Sequence, residues 1–123
     1  MRIATAAVLT SLLSAACSWI PHETEVRALT GGDPHRGREL IRGYGCDSCH
    51  TIPGIHSADA NVGPPLIDIA RRVYLAGHIQ NTPENMMRWI QHPHELDPRT
   101  AMPEMGVTDA DSRDITAYLY TLR

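Results

Sequence analysis

The chain has 123 residues, no phenylalanine and only 5% aromatic residues, so it forms one small domain whose own side chains make a poor core. A covalently held apolar group would supply the missing apolar mass. The formal net charge is −3 and all 11 basic residues are arginine, which argues against nucleic acid as a partner because phosphate binding needs clustered positive charge.

The first sixteen residues have the pattern of a secretory signal: one early arginine, a mostly apolar run and then small residues. The stretch that ends at Cys17 also resembles a bacterial lipoprotein box. We therefore predict that residues 1–16 are a signal peptide and that Cys17 becomes a lipidated N-terminus, since several acyl chains anchor a protein stably. The alternatives are ordinary cleavage near Ala16, or an uncleaved helix over residues 3–20 that is only just long enough to span a bilayer.

Residues 17–32 show no sustained periodicity and end in two glycines, which predicts a flexible linker that holds the domain off the membrane. The folded domain is predicted to span residues 33–123. It begins at Asp33 and Pro34, where aspartate caps a helix and proline takes its first position. Helical spacing on one face of this first helix then follows for Gly37, Leu40, Ile41 and Tyr44.

Cys46, Cys49 and His50 follow that helix directly and have the spacing of a c-type haem attachment site. Each thiol would form a thioether bond to the porphyrin, and His50 would reach the iron as an axial ligand. The alternatives are a redox-active dithiol, half of a zinc site and a short disulfide loop, none of which requires a histidine at the next position. A zinc site would also need a second pair of ligands at a matching interval.

Further along the chain, residues 51–62 have the composition of a loop, and helical periodicity returns over residues 66–77. Thr82 precedes a proline and predicts the start of a third helix, which Pro93 ends. Thr108 begins a capping box for the last helix. Four helices and no convincing strand predict an all-α fold.

The sixth coordination position of a haem iron decides between electron transfer, gas binding and catalysis. Met102 is favoured there because its loop is bracketed by prolines and cannot collapse into a helix. Met105 lies close enough in sequence to substitute for it. The other candidate ligands are Met86, Met87, His56, His78, His92 and His94.

Two other kinds of side chain are candidates for the surroundings of a haem. Arg71 and Arg72 lie off the apolar face of the second predicted helix, where they are either exposed to solvent or paired with a haem propionate. Trp89 needs a partner for its indole N–H when buried, and could direct this donor into the haem pocket.

Three motifs together resemble the class I cytochromes c. Residues 97–103, Asp-Pro-Arg-Thr-Ala-Met-Pro, resemble their methionine loop, and residues 63–66, Gly-Pro-Pro-Leu, resemble the segment after their haem motif. With the haem motif, they occur in the family's order within residues 33–123. The resemblance implies a cytochrome c fold, with about four helices wrapped around one covalent haem c and a first helix that packs against the last through Gly37.

The same resemblance implies roles for individual residues. His50 and Met102 would be the axial ligands, and the carbonyl of Pro64 would accept a hydrogen bond from the other ring nitrogen of His50. Thr100 would lie near a propionate and Trp89 beside the methionine sulfur.

Two filled axial positions predict an electron carrier and not an enzyme, because substrate chemistry needs an open coordination site. We therefore expect an exported mono-haem cytochrome c of a bacterial respiratory chain, on the periplasmic side and held at the membrane through its N-terminus. Its expected partners are redox proteins such as a haem-copper oxidase or a quinol-oxidising complex. The alternatives are a fixed electron-relay subunit of a terminal oxidase or dehydrogenase, and a haem sensor or peroxidase-like enzyme.

The docking surface is expected to be apolar. Mitochondrial-type carriers surround the exposed haem edge with lysines, whereas this chain has no lysine. We therefore expect Ile52, Pro53, Met105 and Val107 to contact the partner, and association to depend only shallowly on ionic strength.

Overall fold

The computed structural model describes residues 22–123, so the predicted signal peptide at 1–16 and Cys17 lie outside the described residues. Within this range the chain is mainly helical, as an all-α fold requires. None of the helices between residues 22 and 123 is long and apolar enough to cross a membrane. The five α-helices of this range are α1 (His22–Thr30), α2 (Pro34–Gly43), α3 (Pro83–Gln91), α4 (Pro93–Leu96) and α5 (Asp109–Tyr120).

Helices α2 and α5 cross at Gly37 and form the frame of the domain. Asp33 caps α2 by accepting a hydrogen bond from the backbone N–H of His35, and Pro34 is the first helical residue, as predicted. A Cβ atom at Gly37 would run into the backbone carbonyl of Asp114 on α5. The predicted contact between the first and last helices of the domain is therefore confirmed, and it requires glycine.

Helix α1 shows that the flexible linker predicted for residues 17–32 is wrong for residues 22–30. These residues form α1, which packs against α5 and whose Val26 side chain is fully buried. Arg27 on the same helix forms an ion pair with Asp33 at 2.8 Å. The helix escaped prediction because Val26 is its only buried apolar residue, and a single residue makes no periodic pattern.

The helix predicted for residues 66–77 does not form. Ile69–Arg71 makes a single 3-10 turn, and the strands β1 (Tyr74–Leu75) and β2 (Ile79–Gln80) then pair as an antiparallel hairpin. Asp68 has a φ of +54°, which no right-handed helix accommodates. The expectation that the chain has no strand is thus wrong at this hairpin.

The remaining helix boundaries follow the predicted caps. Thr82 accepts a hydrogen bond from the N–H of Asn85 at the start of α3, and Thr108 accepts one from the N–H of Asp111 at the start of α5. Pro93 ends the α3 pattern and opens the one-turn helix α4.

The hydrophobic core lies along α5, against which both α2 and α3 pack. Ile41, Met86 and Ile115 are among its buried members. Ile52 and Val107 also belong to this core, so the prediction that they contact a partner protein is wrong.

Candidate functional site

The two thiols and the imidazole of the motif lie on one short turn directly after α2. Gly45 has a φ of +74° and lets the chain leave the helix, and residues 46–48 form a 3-10 turn. The N–H groups of Cys49 and His50 both donate to the carbonyl of Cys46, at 3.2 and 3.0 Å. Both thiols are half-buried and unbridged, so each is free to form its own thioether bond.

The surroundings of Cys46 disfavour two of the alternatives. Burial raises the pKa of its thiol to about 11, so the group is neutral at neutral pH. A redox-active dithiol instead requires a stabilised thiolate. Between residues 22 and 123, no cluster of three or more His, Cys, Asp or Glu side chains has the arrangement of a metal site. Thioether attachment of a haem is the reading that fits these thiols.

The ring of His50 is fixed between Gly63 and Pro64. Its Nδ1 lies 2.7 Å from the carbonyl oxygen of Pro64. Because a carbonyl can only accept, Nδ1 carries the proton in this hydrogen bond, and Nε2 keeps its lone pair. A Cβ atom at Gly63 would collide with the ring. This donor set fits a haem iron, since a metal-binding histidine usually donates its second ring N–H to an acceptor such as a carbonyl.

Backbone hydrogen bonds fasten the Pro64 segment to the motif. The N–H of Gly63 donates to the carbonyl of Cys49, and the N–H of Leu66 donates to the carbonyl of Thr51, both at 2.8 Å. Main-chain hydrogen bonds therefore support the segment that carries the Pro64 carbonyl on both of its sides.

Arg72 also supports the Pro64 segment, on its C-terminal side. Its guanidinium donates through one terminal nitrogen to the carbonyl of Pro65 and, at 3.1 Å, to that of Ile67. Its other N–H groups are not used in these two bonds, since guanidinium carries five donors. The predicted contact between Arg72 and a propionate stays a prediction.

Met102 lies in the irregular segment between α4 and α5. Its N–H donates to Oγ1 of Thr100 at 3.1 Å, and the N–H of Thr100 donates to the carbonyl of Asp97 at 3.0 Å. Met102 is half-buried, whereas Met105 is 43% exposed. The segment therefore turns Met102, more than Met105, toward the body of the protein.

The other residues predicted to bind or surround the haem lie either in the core or on the surface. Met86 is buried in the core of α3, and Trp89 on the same helix is half-buried and packs against that core. Met87 is half-buried as well. The four remaining candidate imidazoles lie on the surface: His56, His78, His92 and His94.

Sequence reasoning missed Asn81, which joins three parts of the chain. Its Oδ1 accepts from the hydroxyl of Tyr120 at 2.9 Å, and its Nδ2 donates to the carbonyls of Ile69 and Arg72 at 2.9 and 2.8 Å. Burial raises the pKa of Tyr120 to about 12. An asparagine just before a helix cap is an ordinary loop residue, so the sequence carried no signal for this role.

A polar network on the frame fixes the end of α2 just before the haem motif. The hydroxyl of Tyr44 donates to Asp111 at 2.7 Å, and Arg36 pairs with Asp111 at 2.6 Å and with Asp114 at 2.5 Å. The hydrogen bond from Tyr44, followed by smaller contributions that include Arg36, lowers the pKa of Asp111. Network and motif are thus separated by a single residue, Gly45.

Comparison with known proteins places these features in a family. The family model of cytochrome c matches residues 34–123. The chain belongs to the cytochrome c family. It is an electron-transfer haem protein, with one haem c attached covalently through Cys46 and Cys49. The cytochrome c fold and the haem c predicted from the sequence are thereby confirmed.

Individual relatives are of two kinds. The chain is 34% identical to cytochrome c2 of Rhodopila globiformis over 106 residues, which cover 75% of this chain and 95% of that protein. It is 29% identical to cytochrome c oxidase subunit 2 of Alkalihalophilus pseudofirmus over 100 residues, or 80% of this chain. A subunit of the same name from Bacillus sp. strain PS3 is 26% identical over 69% of this chain. The matches span only 28% and 25% of the two oxidase subunits.

Proposed function

We propose that this protein is a mono-haem electron carrier of a bacterial respiratory chain, in which His50 and Met102 are the axial ligands of the iron. The observation that supports this most is the hydrogen bond between Nδ1 of His50 and the carbonyl of Pro64, because it leaves Nε2 with a free lone pair. A haem iron held by an imidazole and a thioether exchanges single electrons at a raised reduction potential.

The residues of the chain would share the work of holding and tuning this group. Cys46 and Cys49 hold the ring covalently, and the Pro64 carbonyl raises the basicity of His50 by accepting its N–H. In this proposal, the propionates face Arg72 and Thr100, and the indole of Trp89 lies beside the Met102 sulfur. With both axial positions filled, the protein transfers electrons and does not act as an enzyme.

The choice of Met102 over Met105 is supported by burial and by loop geometry. A thioether must point inward to reach iron, and Met105 is 43% exposed. The hydrogen bond between the N–H of Met102 and Thr100 sets the direction in which the backbone presents the Met102 side chain.

We place the protein on the periplasmic side, as cytochromes c are typically exported. Its N-terminus would associate with the membrane through a lipidated Cys17 or through an uncleaved N-terminal helix. The proposed partners are a haem-copper oxidase or a quinol-oxidising complex. The likeness to cytochrome c oxidase subunit 2 supports the former.

That likeness also favours a second candidate function, a fixed electron-relay subunit of a terminal oxidase or dehydrogenase complex. Purification in mild detergent separates the two. A carrier elutes alone, whereas a fixed subunit co-purifies with other chains at constant stoichiometry.

Optical spectra of matched methionine variants test the axial ligands. The oxidised wild-type protein should show the weak far-red band of a sulfur-to-ferric transition; Met102→Ala should lose it and Met105→Ala should keep it. Loss of the band in Met105→Ala alone would move the ligand to Met105. Binding of carbon monoxide by the native wild-type protein at neutral pH would contradict the carrier and support a sensor or a peroxidase-like enzyme.

A further inference from the structure

The side chain of Asn81 has a fixed orientation because two of its three partners can only accept a hydrogen bond. The two main-chain carbonyls of Ile69 and Arg72 can only accept, so they must face the amide NH₂. The remaining amide oxygen then accepts from the hydroxyl of Tyr120. All three side-chain bonds lie between 2.8 and 2.9 Å, which is good hydrogen-bond geometry.

These bonds tie the 3-10 turn Ile69–Arg71 to the last helix. Tyr120 is buried at the end of α5, and a main-chain bond from Ala70 to Leu122 joins the same two regions at 3.2 Å. The main-chain N–H of Asn81 adds a further bond to Val73 at 2.9 Å. The turn is thus held in place on the frame and not only by its own residues.

This 3-10 turn also supports the segment that carries the Pro64 carbonyl. The main-chain carbonyl of Arg72, which directly follows the turn, accepts a hydrogen bond from the Asn81 amide. The guanidinium of the same arginine donates to the carbonyls of Pro65 and Ile67. The Pro64 carbonyl belongs to the peptide bond that precedes Pro65. A set of hydrogen bonds therefore leads from Tyr120 through Asn81 and Arg72 to the carbonyl of Pro65, the residue next to the acceptor of His50.

We infer that Asn81 is a positioning residue for the haem iron: by fastening the turn Ile69–Arg71 to α5, it keeps the Pro64 carbonyl on Nδ1 of His50 and so sets the reduction potential. This inference rests on the proposed role of His50 as an axial ligand.

The direction of the effect follows from the chemistry of imidazole. A hydrogen bond donated from Nδ1 makes the ring a more basic ligand, and a more basic ligand stabilises ferric iron relative to ferrous iron. When Asn81 no longer holds the turn, the Pro64 carbonyl moves more freely and this hydrogen bond weakens. The ferrous state is then favoured and the reduction potential rises.

Asn81→Leu and Tyr120→Phe test the inference in the haem-loaded protein. Leucine keeps the approximate volume of Asn81 and removes all three of its side-chain bonds, whereas Tyr120→Phe removes one. Tyr118→Phe is the matched control, since Tyr118 is equally buried on α5, at 8% exposed against 7%, and its hydroxyl donates to the carbonyl of Pro53 instead.

We expect Asn81→Leu to raise the ferrous-to-ferric ratio at fixed ambient potential about three- to tenfold, where tenfold corresponds to about 59 mV for a one-electron couple. Tyr120→Phe should shift the ratio in the same direction by less, and Tyr118→Phe should leave it unchanged. The second readout is the exchange rate of the Nδ1 proton of His50 in the ferrous protein, measured by nitrogen-15 NMR. This rate should increase in Asn81→Leu and Tyr120→Phe only.

A purely structural role for Asn81 would give a different result. If Asn81→Leu lowers the melting temperature but leaves both the potential and the proton exchange at wild-type values, the inference is overturned. An equal shift in Tyr118→Phe would also overturn it. Should Asn81→Leu fail to fold, Tyr120→Phe decides by the same two measurements.

The result that would contradict the proposed function differs from the result that would contradict the role of Asn81. A wild-type spectrum without histidine ligation would overturn the proposed axial ligands, and the role of Asn81 with them. Unchanged values in the variants of a histidine-ligated protein would overturn the role of Asn81 alone.

Discussion

The two sides of the haem site are built differently. The histidine side, residues 45–72, is fastened to distant parts of the chain, as by the bonds from Ala70 to Leu122 and from Asn81 to Ile69. On the methionine side, residues 97–107, the hydrogen bonds found join residues no more than four apart, such as Met102 to Thr100. One side is positioned by the fold and the other by short local turns.

This difference suggests how each of the two proposed axial ligands, His50 and Met102, reaches its place. The ring of His50 is oriented by the protein alone, because its Nδ1 proton is bound by the Pro64 carbonyl and its Cε1 atom lies next to Gly63. The segment that carries Met102 has no comparable external support, so a bond between its sulfur and iron would itself contribute to ordering that segment. We therefore expect substitutions on the two sides to differ in kind.

Adding one methyl group to a glycine on each side should show the largest contrast. Gly63→Ala places Cβ against the His50 ring, and overpacking of this kind should cost about 2 kcal/mol of unfolding free energy and disturb the haem spectrum. Gly106→Ala meets no atom within 4 Å but has a φ of +67°, so strain of about 1 kcal/mol is expected, with an unchanged spectrum. Urea unfolding and absorption spectra measure both. An unperturbed spectrum in Gly63→Ala would show that the histidine side accommodates an added methyl group as easily as the methionine side does.

A smaller effect is expected from Thr100→Val on the methionine side. The substitution keeps the side-chain shape and removes the acceptor for the N–H of Met102, which should cost about 1 kcal/mol. The more important result is kinetic: with Met102 as the proposed ligand, added imidazole should displace its sulfur from the iron several-fold faster than in the wild-type protein. Stopped-flow absorbance follows this reaction. An unchanged displacement rate would mean that Thr100 does not hold the methionine side.

The smallest effect is expected at low pH, from the network that precedes the motif. The pKa of Asp111 is lowered in the folded protein, first by the hydroxyl of Tyr44, so its contribution to stability is present above the ordinary value of 3.8 and is lost as the pH falls through the lower folded value. Tyr44→Phe should therefore move the acid unfolding midpoint to slightly higher pH, as followed by circular dichroism. Tyr74→Phe, at a tyrosine that is 54% exposed, should leave the midpoint unchanged. A midpoint that shifts equally in both variants would contradict this role of Tyr44.

The parts of the fold that could be predicted are those encoded by neighbouring residues. Asp33, Thr82 and Thr108 signalled the starts of three helices because a cap acts within three residues of itself. The haem motif was equally visible, since Cys46 to His50 form one short turn.

The parts that could not be predicted depend on distant partners. Apolar residues over 66–77 have helical spacing, but the conformation there is decided by the bond that Asn81 donates to Ile69, by the bond that Leu122 accepts from Ala70, and by the positive φ of Asp68. Helix α1 likewise depends on its packing against α5. In the site itself, the contact of Tyr120 with Asn81 spans 39 positions of sequence, and no local pattern announces it.

The docked helix α1 has a consequence for how far the domain can travel. An extended chain from residue 17 to residue 33 would reach about 58 Å, whereas five peptide units from Cys17 to His22 reach at most about 18 Å. With Cys17 acylated as proposed, the haem domain would stay within this short distance of the lipid surface. Such a carrier would pivot in place, and it would serve those redox partners that present their entry point close to the bilayer.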